Sequence, residues 1–372
     1  MKIFFNLIFG IVTEDHLAQI LAGFQMLKMQ GKLDYRITFD PQYIKQNYGH
    51  RAIIEATSGG KVIVYDLTDG YHNVHNYRKL DNILDSVNYY FKRSNNPELN
   101  SNLDNSNKMF SLGLNYHVSC KGNPYDKYYN SKRLKGIDLI KDYLFYLRSN
   151  KRFQNKYYYR NFESNGKSYE NYNILFSCRL YDSRTVEYKN IRVAYPDLSD
   201  YGVREVVEKW KADLQQVTEQ RIETVKVLKD NFGDRFIGGI SRDPYSQEIA
   251  SKLLIHDDVS MKYNYLKTIK ENNICVSTKG LHDSIGWKFA EYVAAGKAIV
   301  SDKLSYETPG EFRKDKNYLE FKGTEMMIKT LSDLIENVDM IHKMEKNNRE
   351  YYESNLRPDV LIENTLTKIG LL

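Results

Sequence analysis

The stretch Thr278-Lys-Gly-Leu-His-Asp-Ser-Ile-Gly-Trp-Lys-Phe-Ala-Glu-Tyr-Val-Ala-Ala-Gly-Lys-Ala-Ile-Val-Ser-Asp302 decides how this chain is read. It follows an apolar run, Ile274-Cys-Val276, that reads as a buried strand, and passes through a polar, glycine-containing loop. Ser284 is a candidate N-cap, and the spacing predicts a helix over 286–295. Ala290, Val293 and Ala294 form its small apolar face. Trp287, Lys288 and Glu291 fall on the other side, linked by i,i+3 and i,i+4 spacing. Gly296 is the expected stop, and Ala298-Ile-Val300 the next buried strand. The order is strand, loop, helix, strand, with the loop at a helix N-terminus. Such an end offers backbone N–H groups and a positive dipole pole to an anion. Lys279 and Lys288 add charge, and the carboxylates of Asp283 and Glu291 stand before and inside the helix. A diphosphate flanked by hydroxyl-rich sugars would use all of these groups.

Working outward, residues 173–181 read as a strand that runs into a polar turn bearing Arg179. Residues 205–228 are helical in character, 234–238 a strand, 245–254 a helix, Val259 the start of a very short strand, and 263–270 a helix. After Val300 come a loop with Glu307-Thr-Pro-Gly310, a strand at 318–321 and helices from Glu325, broken at Leu356-Arg-Pro358. The first half opens with a strand over 2–7. A helix over 14–30 follows, with Thr13 as candidate cap, Gly31 as stop and Leu17, Ile20, Leu21, Phe24 and Leu27 as its stripe. Strands at 35–39, 61–66 and 89–91 and a helix over 80–87 follow. Alternation of strands and helices implies a parallel α/β sheet. The Asn- and Ser-rich segment 94–108 reads as a mobile surface loop, 136–148 as an amphipathic helix, and 151–170 as a linker.

With 372 residues the chain has room for two domains. A net charge of +6 spread along the sequence suits anionic ligands or loose attraction to an anionic membrane surface, without calling for nucleic acid. Three widely separated cysteines, Cys120, Cys178 and Cys275, give neither a disulfide framework nor a metal spacing, which points to a reducing compartment. The apolar run 4–12 is too short to span a bilayer and lacks a cleavage site, so the chain reads as cytoplasmic. The 31 tyrosines read mainly as compositional bias, some of them suited to lining a sugar site. No Asp-x-Asp, Walker loop, G-x-G-x-x-G, H-E-x-x-H, C-x-x-C or G-x-S-x-G is present.

The 278–302 stretch resembles the donor-binding signature of GT-B glycosyltransferases, E-x-F-G-x-x-x-x-E followed by A-x-G-x-P-V-V. Asp283 stands at the first Glu, Ile285 at the Phe, Gly286 at the Gly and Glu291 at the second Glu, with Ala294, Gly296, Ala298, Ile299 and Val300 in register. Asp283 is one methylene shorter than the signature residue, Ala298 replaces the Pro, and Cys178 replaces the glycine of the family's glycine-arginine turn. The resemblance is strongest over 170–345, and within the family it points to bacterial enzymes that build surface polysaccharides. It implies an α/β fold of two Rossmann-like domains facing a cleft. An acceptor-side domain would cover 1–165 and a nucleotide-sugar domain 166–345, and helices over 346–372 would cross back to the first.

The same resemblance assigns roles. Glu291 would accept hydrogen bonds from a nucleotide ribose, and Asp283 would hold the donor sugar, with His282 close by. Arg179, Lys279 and Lys288 would neutralise the diphosphate, with Arg184 able to do the same job. Gly280 lies in the loop, while Ser284, Gly286 and Trp287 would present backbone N–H groups, Trp287 serving equally well as packing. The loop after the first strand carries Asp15 and His16, either of which could act as general base; acidic residues there also complement a helix dipole. Such enzymes generally need no metal, so no cofactor is expected beyond the donor itself. The expected activity is transfer of a sugar from a nucleotide-diphosphate sugar to a glycan or lipid-linked acceptor. A sugar-nucleotide epimerase and a non-catalytic binding protein of the same fold are the alternatives.

Overall fold

The computed structural model describes residues 2–10, 15–49, 52–71, 77–126, 156–164, 172–196, 198–256 and 261–372. Thr13, the helix expected over 136–148, much of the linker and Val259 lie outside the described residues. Two compact units are present: residues 1–163 with 306–311 and 350–372, and residues 164–305 with 312–349. No described helix is long and apolar enough to cross a membrane.

The first unit is built on a six-stranded sheet of β1 (Ile3–Phe9), β2 (Leu33–Phe39), β3 (Ile53–Ser58), β4 (Lys61–Asp66), β5 (Tyr89–Lys92) and β6 (Met109–Ser111), in the order β2-β1-β3-β4-β5-β6. The sheet is not wholly parallel as expected. β3 runs antiparallel to both β1 and β4. The cause is the two-residue turn Gly59-Gly60, whose φ values of 55° and 75° are those of a tight hairpin. Glu55 hides this strand from sequence reading, because a carboxylate is out of place in a buried run. Its side chain is satisfied by the hydroxyls of Tyr43 and Tyr48, both donating to the same oxygen. Those tyrosines sit on a helix, Pro41–Tyr48, started by the Asp40 cap and a proline at its first turn.

The helix Ala18–Met29 is buried on nearly every side. The C-terminal helix Pro358–Lys368 belongs to the same unit and lies against it: a methyl added at Gly23 would stand 2.3 Å from the Pro358 carbonyl oxygen. The break at 356–358 is present, as a wide turn over Tyr352–Leu356 ahead of Pro358. The segment 94–108 departs from expectation. It holds a helical turn, Pro97–Asn100, capped by Asn96, and buries Asn95, Asn100 and Leu103.

The second unit has a five-stranded, fully parallel sheet of β7 (Ile174–Cys178), β8 (Phe236–Ile240), β9 (Ile274–Ser277), β10 (Ala298–Asp302) and β11 (Leu319–Phe321), in the order β11-β10-β9-β7-β8. Ile174, Phe176, Val276 and Val300 point into its core. One long helix, Asp200–Phe232, occupies the region read as one helix or two. The chain leaves β7 toward β8 on one side and returns to β9 on the other. The carboxyl ends of β7 and β9 are therefore where the connections diverge, the place at which open α/β sheets bind ligands.

Candidate functional site

The helix that follows β9 runs over Trp287–Ala294. Its cap is Gly286, not Ser284, whose amide is instead spent on the Leu281 carbonyl. Its other end closes as expected: Gly296, at φ 60°, donates to Val293 and Lys297 donates to Tyr292, the paired bonds of a Schellman stop.

Glu291 was expected on the outward side. It is only 3% exposed. Lys262, from the helix Lys262–Glu271, holds one of its carboxylate oxygens, and the other is buried with no hydrogen-bond partner. Lys288 lies one turn before it. Its ammonium donates to the Ser177 carbonyl at the end of β7 and sits 4.5 Å from the centre of the Tyr265 ring. Burial, opposed by Cys178 and Glu291, lowers the Lys288 pKa to about 8. A cation thus spans the divergence between β7 and β9.

Beyond β7, exposed Arg179 lies over the Tyr181 ring, 5.3 Å from its centre. Arg221, from the long helix, lies over the same ring at 4.9 Å and donates to the Arg179 carbonyl at 2.6 Å. Its buried Nε has no hydrogen-bond partner. Burial pushes the Tyr181 hydroxyl up, but Arg221 and Arg179 together hold it below its usual range. Thr218 fixes this turn to the long helix, donating to the Tyr181 carbonyl and accepting from its amide, both at 2.9 Å. Arg184, the alternative cation, is committed to Asp182 and Glu248 at the surface.

The loop ahead of the helix offers fewer amides than expected. Lys279 N–H donates to Asp302, Gly280 N–H to the Ser284 carbonyl and His282 N–H to Asp213. Backbone groups taken from water need partners, and two carboxylates from neighbouring elements supply them here. His282 and Asp283 both adopt φ 57°, a left-handed conformation uncommon outside glycine. Asp213 also faces the His282 ring at 3.2 Å. The Asp283 carboxylate is exposed and accepts from Lys279 at 2.7 Å, so both are engaged with each other. The anion-facing amides reduce to the first turn of the helix, where Gly286 opens onto free space and Trp287 is half-buried.

The other candidates lie in the first unit. Asp15 accepts from the Tyr125 hydroxyl at 3.0 Å and faces the His117 ring at 3.5 Å. His117 is stacked on Tyr157 with centroids 3.6 Å apart. His16 meets Arg93 at 2.9 Å and Asn115 at 3.2 Å, both through Nδ1. Burial first, then Arg93, pushes its pKa down to about 4. The Arg93 guanidinium can only donate, whereas the Asn115 atom is a carbonyl oxygen that can only accept, so Nδ1 serves one or the other according to the tautomer. Its lowered pKa makes His16 a weak base, and Asp15 is the other candidate base in this loop. Arg93 also binds Asp69, and the buried Lys92 beside it pairs with Asp66 at 3.1 Å.

Sequence reading missed Arg221 and Asp213 on the long helix, Lys262 on the helix Lys262–Glu271, Tyr181 in the turn after β7, and His117 in the first unit.

No known protein-family model matches the chain, and no curated protein sequence matches it. Among solved structures it is similar to WaaG, a glycosyltransferase involved in lipopolysaccharide biosynthesis, at 10% identity and TM-score 0.39, covering 97% of each chain. It is similar to a glycosyltransferase from Rickettsia africae at 13% identity and TM-score 0.36, covering 99% of this chain and 97% of the other. Anabaena HepE in complex with UDP matches at 8% identity and TM-score 0.39 over 100% of both chains. Likenesses of this size carry no weight on the site, whose chemistry rests on its own residues.

Proposed function

We propose that this chain is a metal-independent glycosyltransferase of GT-B type that takes its sugar from a nucleotide-diphosphate donor held by the second unit. One observation carries the reading. The buried, unpartnered oxygen of Glu291 lies one turn from a helix N-terminus and from Lys288, at the point where β7 and β9 diverge. A ribose hydroxyl would donate to that oxygen, and the diphosphate would meet the first-turn amides and Lys288. Arg179 and Arg221 would take the remaining charge.

In the transfer step the bond from the anomeric carbon to the diphosphate breaks, and its electron pair leaves with the diphosphate. The cations stabilise that leaving group, usually the largest electrostatic contribution available. The acceptor hydroxyl forms the new bond to the anomeric carbon and gives its proton to Asp15. The acceptor is assigned to the first unit, as a glycan or lipid-linked sugar of a surface polysaccharide. The basic balance of the chain suits work at an anionic membrane face.

The engagement of Asp283 with Lys279 favours a second reading, a nucleotide-binding protein without transfer activity. A thermal-shift screen against nucleotide sugars tests the first step, since a ligand of the native state must raise the melting temperature. Acceptor-dependent release of nucleotide then separates the two readings. No stabilisation by any nucleotide would overturn both.

A further inference from the structure

Lys262 limits how much of a pentose the Glu291 carboxylate can read. It is the first residue of the helix Lys262–Glu271, and its ammonium meets one Glu291 oxygen at 2.5 Å. The pair is largely withdrawn from water, with the Lys262 side chain 19% exposed and that of Glu291 3%. The other Glu291 oxygen is buried and has no hydrogen-bond partner among the described residues. Tyr265, one turn after Lys262 on the same helix, carries both cations of this corner. Its ring centre lies 5.4 Å from the Lys262 ammonium and 4.5 Å from that of Lys288.

A carboxylate with both oxygens open can take two neighbouring hydroxyls, one on each. Here one oxygen is already in a charge-assisted bond, stronger than any a neutral hydroxyl could offer in its place. One oxygen remains, and with it one hydroxyl. The surroundings of that oxygen select which. Glu291 lies one helical turn after Lys288, whose ammonium is bonded to the Ser177 carbonyl, and the diphosphate is assigned to Lys288 and the first-turn amides. Of the two hydroxyls of a ribose, the 3′ is on the carbon nearer to the 5′-diphosphate. It falls to Glu291, and the 2′ position gains no carboxylate partner. A site that hydrogen-bonds a hydroxyl rejects the analogue lacking it, because its own polar group is then left unpaired. A site that makes no such bond has no means of rejecting that analogue.

We propose that Lys262 is a specificity-determining residue that restricts this site to one pentose hydroxyl, the 3′, so that donors built on 2′-deoxynucleoside diphosphates are accepted as well as ribonucleotide donors. The inference rests on the donor reading of the second unit and narrows it. Calorimetric titration of the full chain with ADP, GDP, CDP and UDP, and with the 2′-deoxy and 3′-deoxy form of each, is the test. For whichever base binds, the 2′-deoxy form should match the ribonucleotide within about threefold, and the 3′-deoxy form should bind about tenfold or more weakly, the worth of a hydrogen bond to a charged acceptor. Lys262→Met returns the second oxygen to the ligand, so the 2′-deoxy form should then also bind about tenfold more weakly than the ribonucleotide. Lys262→Ala gives the same comparison if the methionine variant melts early. A comparable loss with the 2′-deoxy form in the wild type, no loss with the 3′-deoxy form, or Lys262 variants that leave the pattern unchanged overturns the inference, while the binding itself keeps the donor site. Absence of binding by every nucleotide removes the donor site and this inference with it.

Discussion

Lys262 holds one oxygen of the Glu291 carboxylate and leaves the other, buried beside it, with no donor. An unsatisfied buried acceptor costs about 1–3 kcal/mol, so the native state carries an expense that a ligand hydroxyl would relieve. Because Lys262 comes from a separate helix, the carboxylate is aimed before any ligand arrives.

Glu291→Ala should therefore weaken binding of whichever nucleotide diphosphate the screen identifies by about 10- to 100-fold, the worth of hydrogen bonds to a charged acceptor. The protein should stay folded, since the Lys262 side chain is 19% exposed and can be solvated. Calorimetric titration gives the affinity and a thermal melt the fold. Wild-type affinity in the folded variant would remove the site.

Lys288 makes nucleotide binding pH-dependent. Its pKa of about 8 lies below the ordinary 10.5 chiefly because of burial. Between those values the unfolded chain keeps a proton that the native protein has lost, so the stability of the ligand-free protein rises with pH across that window. Affinity for a diphosphate runs the other way, because the ligand needs the ammonium. It should fall above pH 8, by up to about tenfold per pH unit. Lys288→Arg stays charged and should flatten that fall. Titrations at pH 7, 8 and 9 decide it.

The second sheet and the stop at Gly296 were legible because each is a local pattern. Apolar runs mark the strands, and a glycine marks the helix end. Arg221 was not legible. It reaches Tyr181 and Arg179 from the middle of a 33-residue helix, and nothing in its neighbours distinguishes it from other helical cations. Glu291 was placed on the wrong side of its helix, because helical spacing cannot reveal a partner such as Lys262 some 29 positions away. The helix at Pro41 was overlooked although Asp40-Pro41 is a cap and first-turn signal, repeated at Asn96-Pro97 and Asp243-Pro244.

His16 gives the first unit its own acid sensitivity. Its native pKa, about 4, lies below the ordinary 6.5, so the unfolded state binds the extra proton between these values. The stability contribution is present above pH 6.5 and is lost as the pH falls toward 4, to a total of up to about 3 kcal/mol. His16→Gln, which cannot take up that proton, should lose less stability over the same range. Melts at pH 7, 5.5 and 4.5 on both proteins measure the difference, and identical slopes would contradict it.

Asp15→Asn separates binding from chemistry. Asparagine keeps the acceptor for the Tyr125 hydroxyl but cannot take a proton from the acceptor substrate. Removal of a general base lowers turnover by about 10²- to 10⁴-fold, while nucleotide affinity should stay within about twofold because the proposed donor groups belong to the other unit. Turnover with the nucleotide sugar that the screen identifies and an acceptor is the measurement. Undiminished turnover would assign the base elsewhere, with His117 next in line.

Gly23 tests the packing that ties the C-terminal helix to the first unit. A methyl there would stand 2.3 Å from the Pro358 carbonyl oxygen and 2.4 Å from an Ile362 carbon. Neither contact can relax cheaply, since the first atom is backbone at a helix start and Ile362 is fully buried. Gly23→Ala gains about 1 kcal/mol of helix propensity but overpacks a tight core contact, at about 1–3 kcal/mol or more. The net should be a loss of stability, with the contact between residues 18–29 and 358–368 opening first. Hydrogen exchange on the variant should show faster exchange in 358–368 than in β7 to β11, which belong to the other unit. A variant as stable as wild type would mean that the two helices do not pack this closely in solution.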